Sequence, residues 1–205
     1  MTVKFRSIKK EIRILGIDDG RFEFRNRLSK LVEVIGVVYR GGYWLDGVMR
    51  TEVEIDGMDA TEKITAMIAN SPHYNQLRVV ALNGITLAGF NVVDIKKLFK
   101  KLRLPVIAVT REKPNLEEIR KALMSLPDYE RRWKAIKNAG KMIEVCTRIG
   151  VKPIYMQIAG LLEVDAEKIL CKTSTRSNIP EALRVAHIIA SGLAQLKEKK
   201  SGDSL

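Results

Sequence analysis

The order of the short apolar runs limits what this chain can become more than any other feature. Ile12 to Ile17 is apolar except at Arg13 and stops at Asp18-Asp19-Gly20. A run this short, ended by a turn, reads as a buried strand. Leu31 to Tyr39 is rich in β-branched residues and stops at Gly41-Gly42, and Tyr43 to Ile55 resumes beyond it. Two such segments around a Gly-Gly predict a β-hairpin. The pattern then changes. Asp59 to about Ala69 predicts a helix closed by Asn70-Ser71-Pro72, and Leu77 to Leu82 a strand stopped by Asn83-Gly84. Asn91 to Leu102 predicts a helix with a basic end, and Pro105 to Thr110 another buried strand. Helices are expected after Asn115 and over Asp128 to Lys137, and strands over Met142 to Thr147 and Lys152 to Ile158. Asp165 to about Lys172 and Pro180 to about Lys197 complete the helices. A hairpin beside strands joined by helical crossovers predicts an α/β fold, its mixed sheet flanked by helices. Residues 1–196 read as one domain and 197–205, KEKKSGDSL, as a disordered basic tail.

In sheets of this kind, sites form beyond the carboxyl ends of the parallel strands. Asp18 and Asp19 end the first strand, and Asn83 ends the strand expected parallel to it. Glu54 or Asp56 ends the hairpin arm expected beside it. Oxygen side chains gathered from separate strands suit Mg²⁺ or Mn²⁺. Such ions activate water and steady the leaving oxygen in phosphodiester hydrolysis. Each signal also has a plainer reading. Asp-Asp-Gly and Asn-Gly are good turns, and Glu52, Glu54 and Asp56 alternate as on a solvated strand face. Asn91 and Asp94 stand three apart at a helix start: either they cap it, or Asp94 supplies a charge that Asn83 lacks. GITLAG (84–89) is followed by no Gly-Lys-Ser/Thr, so it is not a phosphate-binding loop of the nucleotide-hydrolase kind.

Lys and Arg total 36 against 24 Asp and Glu, a net charge of +12. That excess points to a polyanionic partner, DNA or RNA. No run of about 18 apolar residues is present, so no membrane partner is expected. Cys146 and Cys171 have no zinc-type spacing, and the histidines, His73 and His187, lie far apart. Two cysteines suit a reducing cytoplasm, although a Cys146–Cys171 bridge stays open.

ILGIDDG (14–20), LNGITLAGFNVVDI (82–95), LPVIAVTREKP (104–114), TRIGVKPIYMQIAG (147–160) and NIPEALRVAH (178–187) cover most of the chain. In order and spacing they resemble an archaeal family related to endonuclease V, within the ribonuclease H-like superfamily. The resemblance implies a ribonuclease H-like mixed sheet and Mg²⁺- or Mn²⁺-dependent cutting of DNA or RNA, of the type used in DNA repair. It places Asp18 at the first catalytic Asp. Asp56 falls near the catalytic Glu, with Glu54 as the competing match. Asn83 stands where a second Asp is found, Arg111 where a Lys lies near the scissile phosphate, and Leu161 where a His is found. The catalytic set it implies is Asp18, Asp56, Asn83 and Arg111; with Asp19 from the strand-end reading and Asp94 from the helix-start reading, the expected metal set is Asp18, Asp19, Asp56, Asn83 and Asp94. Tyr43-Trp44-Leu45-Asp46-Gly47 replaces a Pro-Tyr-Ile-Pro-Gly base wedge. Asn83 and Leu161 keep two alternatives open: a nucleic-acid-binding or accessory protein with a decayed nuclease site, and a module that binds something else.

Outside these segments, Arg176 and Arg184 are candidate phosphate contacts, Arg184 reading equally as a solvated helix residue. His187, inside RVAHIIASGL, reads as a packed or hydrogen-bonded residue. Tyr43 and Trp44, beside basic residues, read either as base-stacking groups or as hairpin aromatics packed on a helix.

Overall fold

The computed structural model describes residues 2–20 and 30–202, and side chains as far as residue 196. Its centre is a seven-stranded mixed sheet. The strands are β1 (Arg13–Asp19), β2 (Leu31–Arg40), β3 (Trp44–Glu54), β4 (Val79–Asn83), β7 (Val106–Thr110), β8 (Ile143–Val145) and β9 (Ile154–Ala159), in the spatial order β3-β2-β1-β4-β7-β9-β8. β1, β4 and β7 run parallel, side by side. β2 and β3 form the expected antiparallel hairpin, turning at Gly41, whose φ of +57° suits a residue without a Cβ. A separate two-stranded ribbon pairs β5 (Thr86–Leu87) with β6 (Asn91–Val92).

The period of two along β1 sorts its side chains between two cores. Leu15 and Ile17 join Ile64 and Ile68 of α1 (Ala60–Ala69) and Leu98 and Leu102 of α2 (Ile95–Leu102) on one face. Ile14 joins Ala166 and Ile169 of α5 (Glu163–Thr173) and Ala182 and Leu183 of α6 (Glu181–Gly202) on the other. A satellite core forms between β6, α3 (Leu116–Leu123) and α4 (Tyr129–Asn138).

Two boundaries differ from expectation. The helix expected from Asn91 begins at Ile95, because Asn91 and Val92 pair with the ribbon and the Asn91 side chain is drawn inside. Helix α6 runs to Gly202, so 197–202 continue as helix where a disordered tail was expected; Lys and Glu are good helix formers. Residues 203–205 of that tail lie outside the described residues.

Two glycines let α6 lie against β1. A Cβ on Gly16 would collide with the backbone of Ala182 and Leu183, and one on Gly20 would stand 2.9 Å from the Ala190 carbonyl oxygen. Gly16→Ala therefore forces the helix off the sheet. The expected cost is about 1–3 kcal/mol, read as a lower urea midpoint, because overpacking of this kind cannot relax through a side-chain rotation. Gly20→Ala, with a single close carbonyl, costs less.

Candidate functional site

Ile17 pairs with Leu82 across the β1–β4 ladder, so Asp18 and Asn83 are the next neighbours at the carboxyl ends of those strands. Asp18 is 2% exposed and holds three hydrogen bonds. Its Oδ1 accepts from Nδ2 of Asn83 at 3.0 Å and from the Asp19 amide at 3.0 Å. Its Oδ2 lies 2.9 Å from Nδ1 of His187, on α6. The His187 side chain is half exposed. With Nδ1 committed to Asp18, the other ring nitrogen, Nε2, is left for a substrate, water or ion.

Burial is the main force on Asp18. It raises the carboxyl from its usual 3.8 to about 6, against the lowering effect of the Asn83 hydrogen bond; the neighbouring Asp19 raises it further, and His187 pulls the other way. Asp19 is also raised, by burial first. The sign of the consequence is fixed. Between about pH 4 and pH 6 an unfolded chain gives up this proton while the folded chain keeps it, so folding becomes less favourable as pH rises through that window. From 3.8 to about 6 the shift is equivalent to ~3 kcal/mol. Asp18→Asn removes the titration and leaves a neutral amide that can serve the same three partners. In metal-free protein the stability advantage of that variant should therefore grow from pH 4 to pH 6 and level above it. Parallel urea titrations of the two proteins measure this; a constant difference across the window would contradict it.

The remaining expected acids do not join this point. Asp19 turns to the opposite face of β1, where its Oδ2 accepts from the Ala88 amide at 2.6 Å. Asp56 is a corner of backbone at φ 51° whose Oδ1 accepts from the Phe90 amide at 2.7 Å. Both carboxylates hold down the 84–92 excursion that contains the β5–β6 ribbon. Glu54 ends β3, which is separated from β1 by the whole of β2, about 10 Å of sheet at the usual strand spacing. The expectation that the hairpin arm bearing Glu54 or Asp56 lies beside β1 is thus corrected: β2 takes that place. Asp94 caps α2, accepting from the Lys97 amide at 3.0 Å, which is the plainer of its two readings. Its partner Asn91 caps α1 instead, accepting from the Ala60 amide at 3.0 Å. Among the described residues no group of three or more His, Cys, Asp or Glu side chains is placed to hold a metal ion. One carboxylate, one amide and one imidazole suit a single divalent ion that keeps several waters, and do not suit a two-ion centre.

Leu161 sits at the wrong end of the sheet for a catalytic role. β9 is antiparallel to β7, Ala159 pairing with Val106 and Tyr155 with Thr110, so Leu161 follows the end remote from Asp18. It is 6% exposed and packed among apolar side chains. The imidazole of the site comes from His187, which the apolar sequence around it disguised. The periodic signal was present: His187 follows Leu183 by four residues, on the helix face that meets β1. Arg111 follows the carboxyl end of β7, next to the strand of Asn83, and is exposed. Arg184 is tied to the buried Glu181 at 2.7 Å and so is not a free phosphate contact, while Arg176 is exposed. Glu33, buried on the Asp18 face of β2, accepts from Arg50 at 2.9 Å. Among the described residues no helix is long and apolar enough to cross a membrane.

The sequence and the fold have known counterparts. The sequence pattern of one family, endonuclease dU, matches residues 10–194. The chain belongs to the endonuclease dU family. Curated archaeal relatives named UPF0215 protein include one from Methanosarcina acetivorans, 53% identical over 186 residues and covering 91% of this chain and 92% of that protein. One from Pyrococcus horikoshii is 41% identical, with 95% and 98% covered. An Archaeoglobus fulgidus protein of known structure is 40% identical, with a TM-score of 0.79 over 89% of this chain and 98% of that one. Beyond the endonuclease dU family, the same fold recurs in endonuclease V. The human ENDOV structure gives a TM-score of 0.60 at 12% identity, covering 92% and 86% of the two chains. Ciona intestinalis endonuclease V, in complex with an inosine-containing DNA, gives 0.58 at 15% identity, covering 93% and 87%. The endonuclease dU chain thus carries the ribonuclease H-like fold that its segments implied.

Proposed function

We propose that this protein is a nuclease that cuts a phosphodiester bond in nucleic acid, with DNA containing deoxyuridine as its substrate. The family's description supplies the substrate class. The observation that carries the reading is the Asp18–His187 pair beside Asn83, at the carboxyl ends of adjacent parallel strands. When Asp18 is ionised, Nδ1 of His187 donates to it, and Nε2 is left basic and half exposed. A base held in this way takes a proton from an attacking water and can return it to the leaving oxygen. Asp18 fixes the ring and stabilises its charged form, as an oriented carboxylate does for other catalytic histidines. Arg111, beyond the end of β7, supplies positive charge for the phosphate. Asp18 and Asn83 would hold one Mg²⁺ or Mn²⁺ ion through their oxygens, leaving Nε2 of His187 for the proton; such an ion when bound lowers the pKa of its water and offsets charge on the phosphate.

The test is a gel assay on labelled oligonucleotides carrying one deoxyuridine, one deoxyinosine or neither, with Mg²⁺, Mn²⁺ or chelator, and an RNA strand beside them. Cutting that needs the ion, favours the deoxyuridine strand and vanishes in His187→Ala supports the proposal. Binding without cutting under every condition would overturn it in favour of an accessory role. Asn83 is the observation that favours this second reading, because it brings no charge where a carboxylate would strengthen ion binding.

A further inference from the structure

We infer that the end of the sheet remote from Asp18 is a second nucleic-acid surface, which holds a single strand by base stacking and phosphate contacts. Residues 2–12 cross beneath the sheet there. The Val3 amide donates to the Gly160 carbonyl at 2.8 Å, and the Gly41 amide donates to the Ile12 carbonyl at 2.8 Å, which ties the β2–β3 turn to the same segment. The Arg78 amide, just before β4, donates to the Arg13 carbonyl at 3.0 Å. A cavity of about 400 Å³ opens at this end, lined by Phe5, Lys9, Arg13, Asn75, Gln76 and Arg78 among others. The full lining combines an aromatic ring, two side-chain amides and three cations against the one carboxylate of Glu11, a set that can take a base and its phosphate. Beside it stand Tyr43 and Trp44, 55% and 57% exposed. The Lys10 ammonium lies 5.3 Å from the centre of the Tyr43 ring.

Ion pairing leaves part of the positive charge at this end unmatched. At the Asp18 end Arg50 is matched by the buried Glu33. On α2, Lys97 and Lys101 both face Glu62. At the remote end Arg13 and Arg40 share Asp46. Lys9, Lys10 and Arg78, however, have no carboxylate partner among the described residues. Cations beside two large exposed aromatics suit an anionic polymer with flat faces, and a single-stranded nucleic acid is such a polymer. The wedge expected to probe a base at the catalytic point is therefore replaced by a platform at the other end. Arg40 pairs with Arg13 at the start of β1, six residues from Asp19 at its end, or about 20 Å away at the usual strand rise. A strand held here is restrained while another part of it meets His187.

The inference shares with the proposed nuclease reading only the class of polymer, and its test is independent of cutting. Full-length protein is titrated with a fluorescent oligothymidylate of twenty nucleotides in chelator, which contains no deoxyuridine. Replacing both Tyr43 and Trp44 by Ala should weaken binding at least about tenfold, the scale of losing one or two stacked bases. Lys9→Ala, Lys10→Ala and Arg78→Ala together should lower the slope of log affinity against log salt by about 2. Photocrosslinks from 5-bromodeoxyuridine strands should map to peptides containing residues 40–50. All these side chains are exposed, and unchanged thermal midpoints verify folding. Unchanged affinity and salt slope, or crosslinks confined to the Asp18 end, would overturn the inference. So would an effect of the aromatic pair on self-association alone. Loss of binding in these variants of a protein that cuts nothing leaves the inference standing and removes the nuclease reading. Cutting with undisturbed strand binding in the variants does the reverse.

Discussion

Asp18→Asn is expected to abolish strand cutting, by roughly 10³-fold or more, the loss seen when an oriented carboxylate or its partner is removed from a catalytic pair. The reason is local. Only the ionised carboxylate fixes His187 with Nδ1–H toward it and Nε2 free. The amide of Asn presents N–H to Nδ1 as readily, which favours the wrong tautomer, and it adds no charge for an ion beside Asn83. The variant should also be the more stable protein above about pH 6, because the buried charge that works against folding is gone. Activity lost together with stability gained separates a catalytic role from a structural one. Adding Mn²⁺ should raise the thermal midpoint of the wild type and not that of the variant, since only the former offers an ionised carboxylate. A variant that retains cutting within tenfold of the wild type would remove Asp18 from the chemistry.

The fold was legible because its signals are local. Ile14, Leu15 and Ile17 alternate between two cores as a buried strand requires, and the turn at Gly41 is where the Gly-Gly stood. Asp18 and Asn83 were legible as strand ends. What the linear chain concealed was the order of strands: a hairpin says that β2 and β3 pair, but not which arm meets β1. That single ambiguity decided Glu54. Asp19 and Asp56 stand apart from the Asp18–Asn83 contact for a second reason. Each is an acidic group at a turn, and whether such a group serves a ligand or a backbone amide depends on a distant segment, here the amides of Ala88 and Phe90. His187 was concealed by the opposite circumstance. Its neighbours are apolar because α6 is packed on β1, and the one polar position facing Asp18 takes its meaning from a residue 169 positions away.

Arg132→Ala should be the most destabilising single change on the α4 side of the protein, by about 4 kcal/mol or more. In sequence, YERRWK looks like the wet face of a basic helix. In the fold the Arg132 side chain is 1% exposed and spends its donors on carbonyl groups. Nε donates to Pro127 at 2.9 Å, Nη1 to Gly57 at 2.9 Å and to Phe90 at 2.6 Å, and Nη2 to Asp56 at 2.6 Å. Hydrogen bonds from a charged donor contribute about 1.5–3 kcal/mol each, less when they share one group, and truncation leaves their acceptors unsatisfied around a cavity. Arg132→Lys should recover only part of this, because an ammonium cannot span acceptors on three segments as a planar guanidinium does. The change also reaches the site. The Phe90 and Asp56 backbones it joins are the ones that anchor the 84–92 excursion, whose Ala88 amide satisfies Asp19. Arg132→Ala should therefore speed amide exchange across 84–92 at temperatures where the sheet is still folded, while Asp18, held from α6 and β4, keeps its partners. Exchange that rises uniformly over the whole chain would show that the guanidinium supports global stability alone and has no particular hold on the 84–92 excursion to which Asp19 and Asp56 are bonded.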